Sequence, residues 1–191
     1  MKKGRIIILS GPSGSGKTTL YRKLLADKRW KGRLVRSVSL TTRLRRKGEQ
    51  NGRDYFFVSR KRFLYKQRAG HLLESQKVYL DYYGTPFKPV REFLAKGRHV
   101  LLAIEVKGAG VVRKRAPESL MIFIKPPSLT VLRKRLALRG TESAGELTAR
   151  LKRARMELTE AKKYHHVLVN DDLTACYREL SAILDQELTP E

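Results

Sequence analysis

Long apolar runs are missing from this 191-residue chain, and so is any stock of cysteine. The first apolar stretch, Ile6 to Leu9, runs straight into Gly11. It is too short for a cleavable leader or a membrane span. The one cysteine, Cys176, cannot close an internal disulfide, so nothing points to an oxidising compartment, and a cytoplasmic protein is expected. Pro/Ser-rich linkers, internal repeats and low-complexity tracts are also absent, which argues against separate modules on a tether. Acidic residues are scarce: 18 Asp and Glu face 42 Lys and Arg, a formal charge of +24. Such a surface attracts polyanions. The cations are nevertheless spread over the chain (Arg43 to Lys47, Arg60 to Arg62, Arg113 to Arg115, Arg133 to Arg135), and no aromatic-interleaved basic tract stands out. Nucleic-acid binding beyond non-specific attraction is not expected.

What is present alternates. Arg5 to Ser10, Leu34 to Leu40, His99 to Val106, Leu120 to Lys125 and His166 to Asn170 read as strands, mostly apolar throughout, as when helices cover both faces of a parallel sheet. Helices are expected from Pro89 to Lys96 with Gly97 as the stop, after the Ser128 cap to Gly140, from a Ser143/Glu146 capping box to about His165, and after the Asp172 cap. On the last helix Leu173, Cys176, Tyr177, Leu180, Ile183 and Leu184 recur at helical spacing, which makes Cys176 core filling. The fold class is therefore α/β, with a parallel sheet flanked by helices. Thr41 to Pro86 breaks the rhythm, with Tyr55 to Val58 as a short strand; it reads as an insertion where specificity should lie.

Gly11-Pro12-Ser13-Gly14-Ser15-Gly16-Lys17-Thr18 fits the phosphate-loop pattern G-x-x-x-x-G-K-[ST]. Glycines let successive N–H groups turn inward on phosphates, and the following helix adds its positive end. Lys17 is expected to reach the β- and γ-phosphates, and the Thr18 hydroxyl to bind Mg²⁺. A chance Gly/Ser turn is the alternative, but an apolar strand precedes the loop and a helical pattern follows it, as the motif requires.

Further segments carry a resemblance over nearly the whole chain. In order they are GPSGSGKTT, SVSLTTRLRRKGEQNGRDYFFV, HLLES, YYGTP, IEVKGA, FIKPPS, RLALRGTE and VLVNDDL. Together they resemble the guanylate kinases, P-loop nucleoside monophosphate kinases. The resemblance implies a domain over residues 4–184: a P-loop NTPase core (1–35, 97–136 and 154–191), a GMP-binding region (36–90) and a helical lid (about 137–153). It implies transfer of the γ-phosphoryl group of ATP to GMP, and to dGMP, in purine metabolism and GMP recycling, by a monomer or small homo-oligomer. Mg²⁺ would accompany ATP.

By the same resemblance Arg43, Arg46, Tyr55 and Tyr83 grip the GMP phosphate, Glu74 faces the guanine edge, Ser39 and Thr85 complete the pocket, and Glu105 assists. Arg135, Arg139 and Arg150 close over ATP and the moving phosphoryl group, and Asn170 lies near the ATP base. The residue types suit these tasks. Arginine forks and tyrosine hydroxyls fit phosphate oxygens, and a carboxylate meets the N1–H and 2-amino donors of guanine where adenine offers an acceptor. Blander readings stay open from the residues alone: Arg43 and Arg46 as solvated loop charges, Tyr55 as core, Glu74 as a surface acid at a helix end. Arg133, Lys134, Lys152 and Arg153 read as an exposed basic helix face, and none of the four histidines is needed for chemistry. One departure stands out: Ala103 occupies a position, two before Glu105, where the family usually has a carboxylate that supports Mg²⁺, so that part of the family's metal shell does not carry over to this chain. Rival classes are a guanylate-kinase-like binding module without catalysis, a P-loop kinase for another small phosphate ester, and a nucleic-acid protein.

Overall fold

The structure, a computed structural model, describes residues 3–138 and 144–188. Its strands in chain order are β1 (Ile6–Ser10), β2 (Leu34–Arg36), β3 (Leu40–Thr41), β4 (Phe56–Phe57), β5 (Leu72–Val78), β6 (Asp81–Pro86), β7 (His99–Ala103), β8 (Leu120–Lys125) and β9 (His166–Val169). The helices are α1 (Lys17–Ala26), α2 (Arg60–Arg68), α3 (Phe87–Ala95), α4 (Val106–Arg115), α5 (Leu129–Ala137), α6 (Ala144–Thr159) and α7 (Leu173–Leu188). They gather into two compact units. One holds the stretch up to Ile6, Gly32–Leu102 and Lys107–Ser119; the other holds Ile7–Lys31, Ala103–Val106 and the described residues from Leu120 on.

In the second unit β1, β8 and β9 run parallel, Ile7 opposite Leu120 and Ile122 opposite His166. Every residue of β1 is buried, as a strand covered on both faces must be. Helix α1 turns Leu20, Tyr21 and Leu24 inward at helical spacing, and α7 does the same with Cys176, Leu180 and Leu184. The caps read from sequence are there: Ser128 Oγ accepts the Val131 N–H (3.1 Å) and Asp172 Oδ1 the Ala175 N–H (2.7 Å), each meeting a donor the first turn leaves over. Helices α5 and α6 share a cluster of Leu132, Leu136 and Ala154. The Gly140 stop and the Ser143 cap lie outside the described residues.

In the first unit β2 pairs in parallel with β7, and a separate four-stranded sheet runs β4-β3-β6-β5. Leu40, Phe63 and Leu72 form the core beneath that sheet. Helix α3 ends where Gly97 takes φ 73, the stop expected for it. Two expected strands are not formed as read. The run Leu34 to Leu40 is two strands in two sheets: Ser37 N–H bonds the Leu101 carbonyl, whereas the Ser39 carbonyl accepts from Phe56 N–H, so the chain changes partners between them. The run from His99 ends as a strand at Ala103, and Val106 opens α4 instead. Within Thr41 to Pro86, the stretch expected to be an insertion, the chain forms β4, α2 and the β5–β6 hairpin.

Candidate functional site

Within the second unit, the chain leaving β1 curls into a loop that only glycine permits at two points. Gly11 has φ 135, and a methyl group there would stand 2.1 Å from the Ile124 carbonyl oxygen; Gly16 has φ 96, and its methyl would stand 2.0 Å from Asn170 Nδ2. The close approach at Gly16 has a purpose. Asn170, buried at the end of β9, donates from Nδ2 to the Ser15 carbonyl oxygen (2.8 Å), tying that strand to the loop. Arg135 fixes the other side of the same strand end, donating to the Asn170 and Asp171 carbonyl oxygens at 2.8 and 3.3 Å. Lys17 Nζ lies back over the loop and donates to the Gly11 and Pro12 carbonyl oxygens at 2.6 and 2.9 Å. From α6, Arg150 Nη1 donates to Ser13 Oγ at 3.3 Å. Gly14, Ser15 and Pro12 complete the curl, Ser15 N–H bonding the Pro12 carbonyl. The N-terminus of α1, the Lys17 ammonium, the Arg150 guanidinium and the Asn170 amide thus meet at one loop, and Arg135 holds the strand end beside it. Thr18 is exposed in the first turn of α1.

Ala103 ends β7, and Glu105, two residues on, is half-buried. Arg153 bridges it to α6, donating to Glu105 Oε2 at 2.9 Å and to Glu157 Oε1 at 2.7 Å. Arg153 is therefore not part of an exposed basic face: it is held between Glu157, one helical turn on, and Glu105, 48 residues away in the chain. Burial first, and the negative charge of Glu105 second, push the Glu157 carboxyl up to about 7, against the pull of Arg153. Among the described residues no group of three or more His, Cys, Asp or Glu side chains is arranged to hold a metal. Cys176 is buried, which pushes its thiol up to about 11 and leaves it a core residue.

The first unit carries the other expected set. Thr85 and Glu74 face each other across the β5–β6 ladder, and Thr85 Oγ1 donates to Glu74 Oε1 at 2.7 Å. Glu74 is only 3 % exposed, so it is neither a surface acid nor at a helix end. Ser39 is buried as well. Arg43 is half-buried, its guanidinium 5.7 Å from the Tyr55 ring centre, with Tyr55 and Tyr83 in an edge contact at 5.9 Å. Its Nη2 donates to both oxygens of Glu49 at 2.7 and 2.9 Å, and the Arg46 N–H donates to the same carboxylate at 2.9 Å. Burial opposes the Arg43 charge, but Glu49 and then Tyr83 outweigh it and hold the guanidinium above its ordinary range. Arg46 itself is exposed.

Each unit therefore gathers its own set. Gly11 to Thr18, Arg135, Arg150, Asn170 and Glu105 lie in the second, and Ser39, Arg43, Arg46, Tyr55, Glu74, Tyr83 and Thr85 in the first. Arg139 lies outside the described residues. Glu49 was not singled out from sequence; its spacing of three from Arg46 and six from Arg43 in a basic loop was the available signal.

The guanylate kinase family profile matches residues 3–187. A guanylate kinase of Lactobacillus acidophilus is 44% identical over 185 residues, 97% of this chain and 90% of its own length. One from a Wolbachia of Brugia malayi is 42% identical over 186 residues, 97% of this chain and 94% of its own. The crystal structure of guanylate kinase from Anaplasma phagocytophilum superposes with a TM-score of 0.80 at 34% identity, covering 100% of this chain and 89% of that one. Its fold, a parallel sheet flanked by helices around a phosphate loop, is the one seen here.

Proposed function

The chain belongs to the guanylate kinase family, and from that premise we infer that it is an ATP:GMP phosphotransferase. It moves the γ-phosphoryl group of ATP to GMP, giving ADP and GDP. The attacking phosphate oxygen is already ionised, so the protein's task is alignment and positive charge, not proton removal. ATP is assigned to the loop 11–18: its amides and Lys17 take the phosphates, with Asn170 on the side of the base. Arg135, Arg139 and Arg150 supply charge around the phosphoryl group in flight; what supports Arg150 in this role is its reach to Ser13 in the loop. GMP is assigned to the first unit. Arg43, Arg46, Tyr55 and Tyr83 hold its phosphate, and Glu74, Thr85 and Ser39 hold guanine, with Glu105 assisting. Residues 36–90 would form the acceptor region and about 137–153 the lid. We place the reaction in the cytoplasm; among the described residues no helix is long and apolar enough to cross a membrane.

Mg²⁺ would be held by Thr18, whose exposed hydroxyl beside the loop suits an ion that keeps several waters and takes the rest of its shell from nucleotide phosphates. When bound it would draw negative charge off the β- and γ-phosphate oxygens. Ala103 offers no carboxylate for that shell, and Glu105 is engaged by Arg153.

The observation that carries the acceptor assignment is a buried carboxylate, Glu74, oriented by Thr85. It matches guanine's N1–H and 2-amino donors and opposes adenine's N1 acceptor. Glu74→Gln keeps the shape but turns part of the edge into a donor, so kcat/KM for GMP should fall about a hundredfold while that for AMP does not fall. Equal losses for both would remove Glu74 from base recognition. A binding module without catalysis has nothing in its favour here, since the loop and Lys17 are intact.

A further inference from the structure

Gln76 stands two residues beyond Glu74 on β5, so both side chains leave the same face of the strand. Across the ladder Glu74 is opposite Thr85 and Gln76 opposite Tyr83, two residues of the acceptor set. The two side chains also converge on Gly108 in α4. A methyl group at Gly108 would lie 2.6 Å from Glu74 Oε2 and 3.3 Å from Gln76 Nε2. Gln76 Oε1 is buried and accepts no hydrogen bond. A buried amide oxygen left without a donor is costly, so it marks a place where a donor belongs.

We propose that Gln76 is a specificity-determining residue whose Oε1 accepts a hydrogen bond from the 2-amino group of guanine. This rests on the assignment of GMP to the Glu74 pocket. A carboxylate at Glu74 pairs with N1–H and one hydrogen of the 2-amino group; the other hydrogen then needs an acceptor of its own. An amide oxygen supplies one without adding a second negative charge beside a buried carboxylate, which would disfavour its ionisation. Glu74 thereby separates guanine from adenine, and Gln76 separates guanine from hypoxanthine, which keeps N1–H but lacks the amino group.

The test compares kcat/KM for GMP and IMP in the parent enzyme, Gln76→Leu and Gln76→Ala. In both variants the GMP-to-IMP ratio should fall about tenfold, through slower use of GMP with IMP unchanged or improved. A purely structural role would slow both substrates alike, so a ratio within twofold of the parent's overturns the proposal. The two variants differ in volume, so a packing fault in one does not disable the comparison. A parent enzyme that left GMP untouched would instead overturn the GMP assignment itself.

Discussion

Adding one methyl group at Gly108 is expected to weaken the protein's hold on GMP while leaving its fold almost untouched. Gly108 is buried in α4 with ordinary helical φ, so alanine meets no backbone strain and by helix propensity alone would stabilise by about 1 kcal/mol. Its methyl, however, would stand 2.6 Å from Glu74 Oε2 and 3.1 Å from Glu74 Cδ, against a van der Waals approach of about 3.5 Å. The carboxylate must retreat by most of an ångström. It is 3 % exposed and bonded at its other oxygen to Thr85 Oγ1, so the retreat disturbs the group assigned to the base. Overpacking of this kind costs about 1–3 kcal/mol, of which the propensity gain offsets about 1 kcal/mol. A displacement of about 1 Å in a positioning group costs about a hundredfold in kcat/KM. Gly108→Ala should therefore keep Tm within a few degrees, leave the KM for ATP unchanged and lower kcat/KM for GMP by about a hundredfold. Gly110→Ala, in the same helix with nothing within 4 Å of the added methyl, is the control and should keep parental kinetics. If the two variants use GMP equally well, the reasoning about Glu74 is wrong.

Two other changes have definite outcomes. Lys17→Ala removes the ammonium held over the loop, and kcat should drop at least about a hundredfold with little change in unfolding midpoint; a rate within tenfold of the parent would count against the loop assignment. Glu157 is held at about 7 when folded, above the usual 4.5, so the folded protein binds the extra proton. The stability linked to that proton is fully present below about 4.5 and lost as pH rises through 7. Urea titrations at pH 5.5 and 8.5 should show the parent losing about 1–3 kcal/mol more than Glu157→Gln over this interval; parallel curves would refute the shift.

Much of the second unit was legible because its elements obey local rules. The phosphate loop needs glycines where φ is positive, β8 is apolar and buried from Leu120 to Ile124 as a doubly covered strand must be, and Ser128 and Asp172 announce their helices. The first unit was harder for equally physical reasons. The β5–β6 hairpin turns at Tyr79-Leu80, where Tyr79 itself takes φ 57, so none of the Gly or Asn signals of a tight turn appears. Leu34 to Leu40 is apolar enough to read as one strand, and only pairing in three dimensions shows the break at Ser37 to Ser39. In the candidate site, Glu74 could be suspected of burial from the preceding Leu72-Leu73, and it is buried. For Arg153 the only local signal is Glu157 one helical turn on, because its other partner, Glu105, lies 48 residues away in the chain.

Guanylate kinase activity requires this chain to bind a triphosphate on its glycine loop and, by the proposal above, to select guanine for the acceptor through Glu74. A coupled assay of ADP release with ATP, saturating Mg²⁺ and GMP, dGMP, AMP, CMP or UMP in turn tests it most directly. Rapid turnover with GMP, a measurable rate with dGMP and rates at least about a thousandfold lower with the other three are expected. No turnover with GMP, or comparable turnover with AMP, would contradict it.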